Sequence, residues 1–375
     1  MKYKSIFKTL VFCLLFTEII SINSASLIQS EVELQENVLD HKVHIEKDLI
    51  VEIPDVPRWC GRLDLKKRRV NVDDCELYVE EEGKGLSVVL LHGGPGATHH
   101  YFHPSLSQVK DFARIIYYDQ RGCGLSDYVT GGGYTIDQAV DDLENLRKAL
   151  NVSRLILLGH SYGGLLAQCY TIKYPENVAG LVLVGSHPGF LHLSFLGFIK
   201  RQNEYLTEEE RKRIKEIHAL YIANKLTVEQ TLYNAFLNGD WKRQHFYKPS
   251  KERLSQIALY EWKHDTDFND VMSQDSRKIN LKGAFENCPI PTILIEGKWD
   301  LSASLDKPAI LQKNHPRSQL FMFKNSGHSP FADEPERFFQ VLRDFVENLP
   351  DIPKEDLETW KEYLLNWKKT KDKKN

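Results

Sequence analysis

Two apolar patterns alternate along most of the chain. The runs SVVLL (87–91), ARIIYY (113–118), RLILLG (154–159), VAGLVLVGS (178–186) and PTILIEG (291–297) are nearly continuous in apolar residues. Strands buried on both faces of a parallel sheet read this way. Between them lie stretches with helical spacing. In TIDQAVDDLENLRKALN, residues Ile136, Val140, Leu143, Leu146 and Leu150 share one face. Thr135 and Gln138 stand at capping-box spacing at its start. Helices also follow RLILLG and PTILIEG, and a last one runs from about Glu334 to Asn348. CELYVEEEG (75–83) alternates like a half-buried strand, and SQLFMFKNSG (318–327) supplies a late one. Strands alternating with amphipathic helices predict an α/β fold, a mostly parallel sheet with helices on both faces. Such sheets carry their chemistry beyond the C-terminal ends of the strands.

Residues 187–289 break the alternation. They hold no run of the Leu-Leu-Val kind and are rich in charged and aromatic residues. Thr207 with Glu210 and Thr227 with Gln230 mark two helix starts, and SKERLSQIALYEWKHD (250–265) is a third helix candidate. This predicts a helical cap inserted between two late strands, a lid over the catalytic face. A structureless loop of that length would be anomalous. The divisions expected are a signal peptide (1–25), an extended N-terminal arm (26–68), the first part of the core (69–186), the cap (187–289), the second part of the core (290–350) and a basic C-terminal tail (351–375), whose end NWKKTKDKKN (366–375) is expected to be solvated.

Composition narrows the setting. The 375 residues are 42% hydrophobic and 27% charged with a net charge of −3, which gives no reason to expect a nucleic-acid partner. Lys2, Lys4 and Lys8 precede a short apolar run, Thr9 to Phe16, and small residues Ser21, Ser24 and Ala25 follow. The run is too short to span a bilayer as a helix. It reads as a secretory signal cleaved near Ala25, and an uncleaved anchor is the alternative. The expected location is the secretory pathway, a vesicular lumen or the exterior, without stable membrane association after cleavage. Five cysteines remain after that cleavage, of which Cys60 and Cys75 either pair or stay free. Asn151-Val152-Ser153 is a glycosylation acceptor pattern in a predicted surface turn.

Four motifs begin where strands end. Gly159-His160-Ser161-Tyr162-Gly163 lies between an apolar strand and an apolar helix and matches a nucleophile elbow. A serine hydroxyl needs a base, and the base needs an orienting acid. Asp300 after PTILIEG and His328 after LFMFKNSG complete the order Ser, Asp, His. His160, His315 and the group His92, His99, His100 and His103 are the competing bases, with Asp306 and Glu296 the competing acids. The loop His92-Gly93-Gly94-Pro95-Gly96 follows the first long strand. Its Gly94 N–H, with Gly93 next in order, joins the Tyr162 N–H as the expected oxyanion hole. In YYDQRGCGLSDY, Asp119 and Arg121 are expected to pair with backbone or with each other as scaffold. No histidine is assigned to Cys123.

The set HGGPG (92–96), DQRGCG (119–124), GHSYGG (159–164), Asp300 and SGH (326–328) resembles the α/β-hydrolase superfamily, and within it the proline iminopeptidase group. The likeness covers about Arg69 to Leu349 and is weak in the cap. It implies the α/β-hydrolase fold, a Ser161–Asp300–His328 triad, and release of N-terminal proline or another N-terminal residue from small peptides. It implies no cofactor and no metal. In such enzymes acidic residues of the lid and rim hold the substrate's amine. Glu204, Glu261, Asp265, Asp267 and Glu286 are the acids available, with Gly93 and Trp299 as further substrate contacts. One branch has a glutamate directly after the triad aspartate, where this chain has Leu301. The apolar stretch HPGFLHLSFLGFIK (187–200) would suit acyl chains, so a carboxylesterase or lipase-like hydrolase is the second expectation.

Overall fold

The computed structural model describes residues 49–61, 65–130, 133–189, 204–261, 266–302 and 306–372. The expected signal, most of the arm, most of the apolar stretch 187–200 and Asp265 lie outside these residues, as does the Asp267 side chain. The chain forms two units. The smaller takes its described residues from 49–56, 204–242 and 248–259, and the larger from 57–189, 243–247 and 260–372.

The larger unit is built on an eight-stranded sheet. Its strands are β1 (Lys66–Asn71), β2 (Glu76–Glu82), β3 (Ser87–Leu91), β4 (Arg114–Tyr118), β5 (Leu155–His160), β6 (Val178–Val184), β7 (Thr292–Gly297) and β8 (Gln319–Phe323). Their spatial order is β1-β2-β4-β3-β5-β6-β7-β8. The β1–β2 and β2–β4 pairs are antiparallel and every later pair is parallel. The continuous apolar runs have a direct cause. Val89 and Leu91 of β3, with Leu155 and Leu157 of β5, enter one core. Val88, Leu90, Ile156 and Leu158 enter the core on the opposite face. Side chains alternate across a strand, so two buried faces demand apolar residues at every position.

Helices α1 (Ile136–Ala149) and α2 (Tyr162–Lys173) follow β4 and β5. The predicted capping box at α1 is half formed. Thr135 Oγ1 accepts from Gln138 N (3.1 Å), but the Gln138 side chain donates to Asp142 instead (3.0 Å). In the smaller unit both boxes close, at α3 (Glu208–Ile222) through Thr207 and Glu210 and at α4 (Val228–Leu237) through Thr227 and Gln230.

Between the adjacent parallel strands β6 and β7 the described residues hold helices and no strand, and they divide between the two units. After α5 (Lys251–Gln256) and a π turn, α6 (Thr266–Arg277) belongs to the larger unit. Met272 joins the sheet's core, and the Asp275 carboxylate accepts the Ile136 N–H at the start of α1 (2.8 Å).

Two boundaries need correction. The arm was expected to reach residue 68, but β1 begins at Lys66, because each residue from Lys66 to Asn71 pairs with one of Glu76–Glu81. Most of the expected basic tail is a helix, α10 (Lys354–Asp372), which follows α7 (Lys307–Asn314), α8 (Pro330–Asp333) and α9 (Pro335–Glu347). Its lysines hid an apolar stripe. Trp360 and Leu364 are buried in the core, and Trp367 donates to the Lys282 carbonyl (2.9 Å). No helix among the described residues is long and apolar enough to cross a membrane.

Candidate active site

Ser161 ends β5 and begins α2 with φ 56° and ψ −123°, a left-handed conformation worth about 1–3 kcal/mol of strain for a residue with a Cβ. The turn survives because its neighbours are small. A Cβ on Gly163 would strike the Leu91 carbonyl, and one on Gly164 would strike the Ser186 side chain. Ser161 N donates to the Val184 carbonyl at the end of β6 (2.9 Å), and the Ser186 hydroxyl donates to the Ser161 carbonyl (3.0 Å). Two hydrogen bonds and the lack of room at two glycines thus fix a serine that is only partly buried.

His328 is set on the loop after β8. Its N–H donates to the Gln244 carbonyl (2.7 Å), and Asp333 accepts the Gly327 N–H (2.8 Å). The ring packs against Gly185, where a Cβ would lie 2.9 Å from Nδ1. Gly185 follows β6, the strand whose end also holds Ser161, so both residues border one strand terminus.

Asp300 Oδ2 lies 2.9 Å from His328 Nδ1. Asp306 is exposed at the start of α7. Glu296 is buried and pairs with Lys307 (2.8 Å). The same ammonium donates to Asp300 Oδ2 (2.7 Å). Ser302 donates to Asp300 Oδ1 through its N–H (2.8 Å) and through its hydroxyl, which also lies 2.9 Å from His328 Nδ1. Burial opposes ionisation of Asp300, but the His328 and Lys307 charges outweigh it and hold the carboxyl well below its usual range. Burial raises Glu296 to about 7.

The competing histidines have other work. His160 bridges Tyr101 Oη (2.8 Å) and the His328 carbonyl (2.9 Å), and burial keeps it well below the ordinary histidine range. His315 stacks on Phe285 and contacts Gln168 (3.0 Å), with burial lowering it to about 3. His92 Nε2 accepts the Gln120 N–H (3.0 Å) and braces the glycine loop against the segment after β4.

The glycine loop meets the serine directly. A Cβ on Gly93 would lie 3.1 Å from Ser161 Cβ. The Gly93 N–H donates to Tyr101 Oη (2.7 Å). Gly94 lies at φ 119°, and no hydrogen bond of its N–H is seen among the described residues. Tyr162 N opens α2, where the first amides have no partner within the helix.

A family model described as the alpha/beta hydrolase fold matches residues 87–335. The chain belongs to the α/β-hydrolase fold family. A proline iminopeptidase of Saccharolobus solfataricus is 27% identical over 278 residues, covering 72% of this chain and 87% of that protein. Among solved structures, a proline iminopeptidase of Mycobacterium smegmatis matches with TM-score 0.57 and 20% identity, over 78% of this chain and all of the other (100%). An esterase of Exiguobacterium antarcticum matches with TM-score 0.56 and 23% identity, over 73% of this chain and 96% of the other. At those identities the two structures speak for the fold.

In this α/β-hydrolase the expected substrate contacts separate. Glu261 is buried in the larger unit, next to Tyr260, whose carbonyl accepts from Thr98 just past the glycine loop (3.0 Å). Glu204 is exposed and belongs to the smaller unit. Glu286 is exposed and takes a hydrogen bond from Tyr363 (3.2 Å). Trp299 is half-buried, stacks on Phe246 and donates to the Lys324 carbonyl (2.9 Å). Asp119 and Arg121 do not pair with each other as one expectation had it. Asp119 accepts the N–H groups of His99 (2.8 Å) and Leu125 (2.7 Å), whereas Arg121 holds Asp142 and Asp74 (2.8 Å each). Cys60 and Cys75 are both free and buried. Asn151 stands on an exposed turn. Sequence reasoning missed Ser302 and Lys307. Neither carried a signal, since a serine and a lysine in a loop and at a helix start read as solvated residues.

Proposed function

We propose that this α/β-hydrolase is a serine hydrolase of the secretory pathway that releases N-terminal proline, or another N-terminal residue, from small peptides. The observation that carries the reading is the strained Ser161 beside the Asp300–His328 pair at one strand terminus.

Ser161 Oγ attacks the substrate carbonyl and its proton passes to His328 Nε2. Asp300 accepts the Nδ1–H, which holds the ring in the tautomer that leaves Nε2 basic and then stabilises the imidazolium. The tetrahedral oxyanion sits between the N–H groups of Tyr162 and Gly94. As the C–N bond breaks, the imidazolium gives its proton to the departing amine. Water then adds to the acyl-enzyme, again losing a proton to His328, and Ser161 is regenerated as the amino acid leaves. Among the candidate acids we assign Glu261 to the substrate's free ammonium, a choice supported by its neighbour Tyr260, whose carbonyl accepts from Thr98 just past the glycine loop.

The likeness to iminopeptidases supports peptide substrates, and Leu301 favours a second reading. It is an apolar, buried residue beside Asp300, which suits an acyl ester better than an ammonium group. Turnover of proline β-naphthylamide, p-nitrophenyl acetate and longer acyl esters separates the two. Ester turnover without amide turnover rejects the peptidase. A fluorophosphonate probe tests the serine itself: wild type should label and Ser161→Ala should not, with turnover reduced at least about 10³-fold.

A further inference from the structure

A second group of reactive side chains takes no part in that chemistry. Cys60 lies in a 3-10 turn (Trp59–Gly61), Glu80 in β2, and His99 opens the turn His99–Phe102 beyond the glycine loop. All three are buried. The Cys60 sulfur, a Glu80 carboxylate oxygen and a His99 ring nitrogen lie within 4.8 Å of one another.

The geometry of His99 gives this cluster direction. Its Nδ1 is 2.8 Å from Asp119 Oδ1, so the Nδ1–H is donated there. That leaves Nε2 to face Glu80, 3.6 Å from Oε2. This is too long for a hydrogen bond. It is about the edge of a tetrahedron drawn around zinc with bonds of about 2.0–2.3 Å. His99 Nε2 is fully buried and makes no hydrogen bond among the described residues. An imidazole whose far nitrogen donates to a carboxylate is the usual way a metal-bound histidine is oriented. Glu80 is held in turn by Tyr78 Oη at Oε1 (2.7 Å) and by His103 Nε2 at Oε2 (2.9 Å).

We propose that Cys60, Glu80 and His99 bind one divalent transition-metal cation of borderline softness, zinc above the others. Thiolate and imidazole donors select such ions over magnesium or calcium. Binding displaces the thiol proton, so the thiolate and the carboxylate together neutralise the dication. Water completes the coordination. The ion would tie the turn at 59–61 to β2 and to the turn at 99–102. It is a structural site, separate from the hydrolytic residues.

The test uses the purified full chain, stripped with a chelator, loaded with Zn²⁺ or Co²⁺ and passed through gel filtration. One metal per chain is expected, and the cobalt form should show a thiolate-to-cobalt charge-transfer band. Cys60→Ser should abolish the band, and Cys60→Ser and His99→Gln should each weaken binding at least tenfold. Cys75→Ser, which alters another buried thiol, should leave stoichiometry and band intact. Wild-type protein that retains no metal overturns the proposal, as does a band that survives Cys60→Ser. If Cys60→Ser fails to fold by circular dichroism, the wild-type and Cys75→Ser spectra decide: a band kept by both supports the site, and a band absent from wild type or lost in Cys75→Ser overturns it.

Discussion

Two histidine–aspartate pairs of nearly equal geometry stand in this molecule. His328 Nδ1 meets Asp300 at 2.9 Å, and His99 Nδ1 meets Asp119 at 2.8 Å. What surrounds them differs. The His328 pair has a serine hydroxyl and a lysine ammonium on its aspartate, and it borders the strand end that holds Ser161. The His99 pair is sealed, with ring and carboxylate both at 0% exposure, and its far nitrogen faces Cys60 and Glu80. The dyad alone therefore specifies no chemistry. It orients an imidazole, and the group opposite Nε2 decides whether that imidazole moves protons or holds something still.

Matched substitutions break the comparison most sharply. Asp300→Asn should lower kcat by about 10⁴-fold, because the amide cannot keep the ring in its working tautomer. Asp119→Asn should act on stability instead. Steady-state kinetics on the folded protein should show less than a tenfold change, and denaturation should show a loss of roughly 3–5 kcal/mol from the broken buried pair. Equal kinetic losses in both would erase the distinction.

Lys307 sharpens the same contrast. Lys307→Met leaves Asp300 and Glu296 buried without their shared cation, at a cost of roughly 3–5 kcal/mol in urea unfolding. Adding Glu296→Gln to that variant should recover part of the loss, a coupling that a double-mutant cycle measures.

A smaller effect is expected at Gly93. The added methyl of Gly93→Ala would press on Ser161 Cβ at 3.1 Å, and kcat should fall about tenfold with the melting temperature little changed. The smallest concerns pH. The folded-state pKa of Glu296, about 7, lies above its ordinary 4.5. Between those values the folded chain binds the extra proton, so stability falls as pH rises through that window and is level above it. The stability difference between wild type and Glu296→Gln should shift in favour of the variant from pH 4.5 to 7. A difference independent of pH would place the titration elsewhere.

Much of the candidate site is legible in the sequence because its motifs are local. Gly163 and Gly164 are glycine for lack of room beside Leu91 and Ser186, and that demand is written into the six residues Gly159 to Gly164. Asp300 and His328 follow apolar strands, and position after a strand end is itself a signal. Lys307, Ser302 and the His160–Tyr101 bridge left none, since a buried polar contact depends on what another part of the chain brings to it. The helix at 354–372 was misread for a related reason. Its lysine-rich end dominates the composition, while Trp360 and Leu364 acquire meaning only from the core they enter.

By itself the sequence determined the α/β alternation, the serine turn, the chain order of the three catalytic candidates and the glycine loop. Each follows from constraints among neighbouring residues: period, backbone conformation and the need for apolar positions on both faces of a parallel sheet. Only the tertiary structure decided that Asp300 rather than Glu296 or Asp306 meets His328, that Cys60 and Cys75 stay apart as free thiols, and that Asp119 serves His99. Those outcomes rest on distances between residues far apart along the chain, which packing sets and local pattern does not encode.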